Sequence, residues 1–383
     1  MRDTIISRRL QQNIKENIRG KGPITFAKFM NICLYHPHYG YYSSGRAQRG
    51  REGDYFTSPT VHSIFGALLG KQLAQMWRIL GGGEFQIVEM GGGEGYLCYD
   101  LLEYVQRNES AFYNLLSYHM VELTPLIIER QRKLLTPFTG KVMWHQYGEV
   151  GGNGVEGCFV SNELVDSFPV HRVVMETDGL KEIYIDFNNG KLRELRGKPS
   201  TPKLVSYFRR LGITLTEGQR AEVNLEALRW LRGVARRLKK GFVITIDYGY
   251  PAQQLFSPNR MNGTLLCYRG QKVCYDPYVQ LGLQDITSHV DYTSLIVYGE
   301  RWGLKLTGLV PQYKFLLALG ILEEMARLEE EKEEQEAMAE RLTIKNLILP
   351  GGMGDTFKVL IQHKGIKRPQ LDGLRGSLNG GEE

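Results

Sequence analysis

The chain has 383 residues, of which 42% are hydrophobic and 23% charged, the balance of a folded globular protein rather than a disordered one. Its net charge of +6 is spread along the sequence with no aromatic residues interleaved in a basic stripe, which argues against a nucleic-acid surface. No apolar run reaches the roughly 18 residues a membrane span needs, and the scattered Cys33, Cys98, Cys158, Cys267 and Cys274 form no C-x-x-C pair for zinc or a disulfide framework.

Ile6, Leu10, Ile14 and Ile18 recur every four residues, the stripe of an amphipathic helix rather than a signal-peptide core. With thiols of this kind, the expected location is cytoplasmic. Strands are predicted at residues 85–90, 118–123, 141–145, 157–162, 242–247, 305–310 and 356–363, with helices at 95–107 and 125–135 between the first of them. Such alternation predicts a parallel sheet covered on both faces, with ligands at the C-terminal strand edge. Residues 170–198 read instead as hairpins, turning at Asp178-Gly179 and at Asn188-Asn189-Gly190. Residues 250–284 lack periodicity and are rich in glycine, proline and tyrosine, as in a lid or binding loop. Both stretches are expected to wall a substrate site.

The basic run Arg236-Arg237-Leu238-Lys239-Lys240 reads as a helix C-terminus, where cations complement the macrodipole. Residues 322–342 read as a solvated glutamate-rich helix. The domain scheme that follows is an N-terminal helical and loop cap at 1–60 and a Rossmann-like domain at 61–363. Insertions fall at about 168–215, 250–289 and 320–350, and a disordered tail is expected at 364–383.

The richest segment is Glu89-Met90-Gly91-Gly92-Gly93-Glu94-Gly95, where a strand passes into a glycine turn and then a helix. Gly91, Gly93 and Gly95 permit positive φ and close approach of backbone to a ligand, and the helix behind them aims N–H groups at an anionic end. Tyr96 stands where a pyrophosphate-binding turn places its third glycine. The turn therefore suits S-adenosylmethionine, with Glu89 available to its ammonium group, better than a dinucleotide. Glu122, at the end of the next strand, is placed to accept the ribose hydroxyls.

The fourth strand runs into Asn162-Glu163-Leu164-Val165-Asp166. In this architecture that edge faces the transferring methyl group, so Asn162, Glu163 and Asp166 are the candidate catalytic residues. If a helical turn begins there, Glu163 and Asp166 share one side, where two carboxylates can clamp a guanidinium or ammonium and take its proton. The alternative is that Asp166 or Asn162 caps the following helix.

Beyond these local patterns, several stretches resemble the MidA-type methyltransferase family. They include His36-Pro37-His38-Tyr39-Gly40-Tyr41-Tyr42, Gly53-Asp54-Tyr55-Phe56-Thr57-Ser58-Pro59 and Asn162-Glu163-Leu164-Val165-Asp166. Further matches are Ile246-Asp247-Tyr248-Gly249, Gln284-Asp285-Ile286-Thr287-Ser288-His289-Val290-Asp291 and Met353-Gly354-Asp355-Thr356-Phe357. The resemblance implies a class I S-adenosylmethionine-dependent methyltransferase with a seven-stranded Rossmann-like sheet. It also implies an arginine-containing protein as acceptor, a respiratory-complex subunit in the mitochondrial members. Two positions depart from the family pattern: Gly92 replaces a proline, and Gln271 replaces a histidine. A nicotinamide-dependent oxidoreductase and a non-catalytic, cofactor-binding assembly factor are the rival readings.

Overall fold

Seven runs form the main path of one sheet, which the short strand Val290–Asp291 joins off that path, in the computed structural model, which describes residues 2–44, 58–146, 148–152, 154–270, 272–331, 334–349 and 353–375. They are β1 (Phe85–Met90), β2 (Leu116–Val121), β3 (Val142–His145), β4 (Val155–Asn162), β5 (Leu238–Tyr250), β6 (Lys305–Pro311) and β7 (Phe357–Lys364). Their order is β3-β2-β1-β4-β5-β7-β6. The pairs from β3 to β5 are parallel, and β7 runs antiparallel between β5 and β6. Phe85, Ile87 and Val88 of β1 and Cys158, Phe159 and Val160 of β4 are all buried, as central strands covered on both faces require. The chain builds β1, β2 and β3 to one side and then returns to place β4 on the other side of β1. That reversal opens a ligand crevice at the C-terminal ends of β1 and β4.

Two compact units result. The larger takes the described residues of 56–164, 231–248 and 298–383 and holds most of the sheet. Its core includes α1 (Ile64–Leu80) and α2 (Tyr96–Asn108), through Leu68, Leu69, Leu101 and Leu102. α3 (Pro125–Leu134) follows β2. The smaller takes the described residues of 1–55, 165–230 and 249–297, so the segments expected to be a cap and two separate insertions belong together. Helix Arg2–Lys21 buries the predicted stripe, with Leu10, Ile14 and Ile18 packed in the core against Phe26, Phe29 and Ile185. The expected hairpins form around strands His171–Glu176, Gly179–Asn188 and Lys191–Gly197. The 250–284 stretch contributes strands Leu266–Arg269 and Lys272–Cys274, which join Asp285–Thr287 in a three-stranded sheet.

Two expectations change. The tail is packed through Arg375, because Leu371 and Leu374 supply apolar anchors that its polar composition hides. The N–H groups of Asp372 and Gly373 also donate to Gln75 and Gln72 of α1, both at 2.9 Å. The glutamate-rich region forms helices Ile321–Glu331 and Glu334–Ile348, and Ile321, Ile344 and Leu347 are buried in the larger unit's core. In the basic run, Arg237 ends a helix and its guanidinium reaches the Val150 carbonyl at 3.1 Å. Lys239 pairs with Glu156 at 2.7 Å.

Candidate active site

β1 leads into a turn built on three left-handed glycines, Gly91 (φ 74°), Gly93 (φ 55°) and Gly95 (φ 95°). At Gly91 a Cβ would also lie 2.8 Å from Leu164 Cδ1. The turn is pinned at both ends, with Gly91 N–H donating to Val121 O (3.2 Å) and Gly95 N–H to Gly92 O (3.0 Å). Gly95 is the N-cap of α2, so the first N–H groups of that helix lie beside the loop. The buried Gln131 of α3 donates to Gly93 O at 2.7 Å and accepts Trp144 Nε1–H at 3.0 Å. This brace had no signal in the sequence.

Glu89 lies beneath the loop. Its carboxylate is buried and accepts the Tyr118 hydroxyl at 2.8 Å; burial, reinforced by Glu89, raises the Tyr118 phenol well above its usual pKa. The family's proline position is explained by packing, since a Cβ on Gly92 would meet Met120 Cε at 2.7 Å and the Glu89 carboxylate at 3.0 Å. Gln271, the other departure, lies outside the described residues, as do Gly53 to Thr57.

Half-buried Glu122 follows the last residue of β2, and its Oε1 accepts the N–H groups of Leu123 (2.7 Å) and Thr124 (3.1 Å). The carboxylate is thereby fixed at the strand edge, one turn before α3. Beside it on the sheet, His119 and His145 meet through their ring nitrogens at 2.9 Å. Burial, aided by His145, lowers His119 to a pKa of about 4, so the His119 ring is predominantly neutral near pH 7.

At the end of β4 the chain takes a second left-handed step, this time without glycine. Glu163 has φ 51°, and its N–H still pairs with Ile246 O at 2.9 Å. The side chain is only 6% exposed. Its Oε1 accepts Asn162 Nδ2–H at 3.1 Å and the Ser58 N–H at 3.3 Å. Ser58, itself buried, donates through Oγ to Gln312 Oε1 at 3.0 Å. Asn162 Oδ1 is buried without a hydrogen-bond partner among the described residues. Ser58 was not predicted as a site residue, although it lies in one of the family-like stretches.

The expected helical turn after β4 does not form. With Glu163 left-handed the chain bends and turns, and the next helix begins at Pro202, so neither Asn162 nor Asp166 caps a helix. The passage between the two units falls between Leu164 and Val165. Asn162 and Glu163 therefore belong to the larger unit and Asp166 to the smaller. Asp166 is 5% exposed, and its carbonyl accepts Ser288 N–H at 3.1 Å. Next to it, Ser167 is held by the Tyr35 hydroxyl at 3.1 Å.

Five parallel strands, a reversed seventh strand and a glycine turn heading α2 define a class I S-adenosylmethionine-dependent methyltransferase. Residues 68–310 match the model of a family described as S-adenosyl-L-methionine-dependent methyltransferases, and the chain belongs to this MidA-type family. It is 28% identical to the mitochondrial protein arginine methyltransferase NDUFAF7 homolog of Drosophila melanogaster, over 95% of this chain and 86% of that one. The human protein arginine methyltransferase NDUFAF7, mitochondrial, is 26% identical over 93% of this chain and 84% of its own length. A Burkholderia thailandensis protein, described as a methyl-transferase candidate and solved with S-adenosylhomocysteine, superposes with a TM-score of 0.90. It shares 28% identity, covering 98% of this chain and 97% of that one. The curated relatives are named mitochondrial, which overturns the expected cytoplasmic location. Thiol usage and the lack of a signal-peptide pattern could not distinguish one reducing compartment from another.

Proposed function

We propose that this methyltransferase modifies a nitrogen of an arginine side chain in a protein partner. The observation that carries the reading is Glu163, a buried carboxylate kept in left-handed backbone at the end of β4 and oriented by Asn162 and Ser58. The names of the curated relatives support the same acceptor, and the resemblance to assembly factors extends it to a respiratory-complex subunit.

For the cofactor, Gly91, Gly93 and Gly95 let the backbone approach closely, and the first turn of α2 supplies N–H groups for a carboxylate. Glu89 supports the loop from below and offers its carboxyl on the ammonium side, while Glu122 takes the ribose hydroxyls. When bound, S-adenosylmethionine supplies an electrophilic methyl group. Arginine remains protonated at neutral pH, so its nitrogen needs both orientation and a proton acceptor. Glu163 orients the guanidinium and accepts the proton released as the nitrogen is methylated, Asn162 positions Glu163, and Asp166 is the second carboxylate the sequence offers.

The test is methyl transfer from labelled cofactor to protein acceptors, with the modified residue mapped by mass spectrometry. Glu163→Gln and Asp166→Asn keep the side-chain shapes and remove the charges. Each should retain S-adenosylhomocysteine affinity and lose most arginine methylation. Full turnover in the double variant, or label found on lysine, would refute the assignment.

A further inference from the structure

We propose that Gln131 is a positioning residue for the cofactor: through the Gly93 carbonyl it sets the conformation of the turn that receives the amino-acid end of S-adenosylmethionine. This inference rests on the placement of that end at the Gly91–Gly95 turn above, and it is independent of the methyl acceptor.

The form of the turn follows from its backbone. Gly95 N–H donates to Gly92 O at 3.0 Å, so Gly92 to Gly95 close a β-turn with Gly93 and Glu94 at its centre. Gly93 has φ 55°, whereas Glu94 is not left-handed, which is the pattern of a type II′ turn. Rotating the central peptide would give a type I′ turn, which demands positive φ at Glu94 as well, and a residue with a Cβ resists that. A trans peptide points its C=O and N–H in opposite directions. Whatever holds the Gly93 carbonyl therefore also aims the Glu94 N–H.

Gln131 holds it. Its side chain is fully buried. Nε2–H donates to Gly93 O at 2.7 Å, and Oε1 accepts the Trp144 indole N–H at 3.0 Å. The carbonyl only accepts and the indole only donates, so the amide has a single orientation here. Glutamine supplies both functions in one uncharged group, which leucine, methionine and glutamate cannot. Gly95 makes room for the side chain, since a Cβ there would lie 3.3 Å from Gln131 Cγ. Gln131 thus ties α3 and β3 to the turn and leaves the Glu94 N–H facing away from α3. A second tie from α3, Arg130 to Glu94 at 3.0 Å, has side chains 37% and 20% exposed. Solvent screens that pair, so the buried amide is the stronger of the two.

The test titrates the full chain by calorimetry with S-adenosylhomocysteine and with 5′-methylthioadenosine. The two share adenosine and sulfur, but only the first has an amino-acid end. Gln131→Leu should weaken S-adenosylhomocysteine binding about tenfold, the upper range for one net hydrogen bond, and leave 5′-methylthioadenosine affinity unchanged. Gln131→Glu keeps the acceptor for Trp144 but sets a carboxylate against the Gly93 carbonyl, so its loss should be at least as large. Trp144→Phe spares the Gly93 bond and should have the smallest effect, about threefold. The split between ligands separates positioning from general support of the fold. Unchanged S-adenosylhomocysteine affinity in folded Gln131→Leu, or equal weakening of both ligands, would overturn the proposal. If Gln131→Leu does not fold, Gln131→Glu and Trp144→Phe decide by the same split. Equal binding of both ligands by the unaltered protein would instead overturn the placement of the amino-acid end at the turn.

Discussion

β1 and β4 lie side by side and leave the sheet at the same edge, yet they turn by different means. After β1 the left-handed steps at positions 91, 93 and 95 are all taken by glycine, so the backbone turns without steric strain. After β4 the left-handed step falls on Glu163, where an L-residue costs about 1–2 kcal/mol. The chain offsets that cost locally, with hydrogen bonds from Asn162 and Ser58 to the carboxylate. Under the proposed function, the difference follows from what each turn is for. The first needs only bare backbone close to a ligand, whereas the second needs a particular carboxylate in a position that only a strained backbone provides.

Placing a side chain on the β1 turn should have the largest effect. Gly93→Val puts a β-branched residue at φ 55°, a conformation valine rarely adopts, next to the carbonyl that Gln131 holds. Calorimetry should show S-adenosylmethionine binding lost, while circular dichroism reports a retained fold. Normal affinity in a folded variant would break the comparison on its glycine side. A smaller effect is expected at the end of β2. Glu122→Ala removes a charge-assisted contact worth roughly 1.5–3 kcal/mol, so cofactor affinity should fall about ten- to a hundredfold. Unchanged affinity would reduce Glu122 to a residue that merely holds the N–H groups of Leu123 and Thr124.

How much of this could be read in advance follows from how local each feature is. Central strands are continuous apolar runs, so β1 lies where predicted and β4 differs only by an earlier start at Val155. β5 runs from Leu238 to Tyr250, longer than the predicted 242–247, because Lys239 and Lys240 disguise its beginning. The glycine turn was legible because its backbone conformation is written in residue type. The turn at Glu163 was not, since glutamate carries no signal for positive φ, and a helical turn was expected instead. Ser58 reaches Glu163 across 105 residues of sequence, and Tyr42 reaches Asp285 across 243. No periodicity encodes such contacts. The union of the described residues of 1–55, 165–230 and 249–297 into one unit depends on packing among three separated stretches.

The smallest expected effect measures the strain itself. Glu163→Ala and Glu163→Gly remove the same carboxylate hydrogen bonds, those from Asn162 and Ser58 among them, each worth about 1 kcal/mol, so both variants lose similar side-chain support. They differ in the backbone. Alanine keeps a Cβ in the left-handed region, whereas glycine occupies it freely but gains conformational entropy in the unfolded chain. At an ordinary β-turn position alanine would be the more stable of the two. With φ at 51°, Glu163→Gly should instead be the more stable by about 1 kcal/mol, read from the midpoints of denaturant melts with equal slopes. Both variants should lack methyl transfer. If Glu163→Ala proves equal or more stable, the β4 turn carries no strain, and the carboxylate's position needs no explanation beyond ordinary packing.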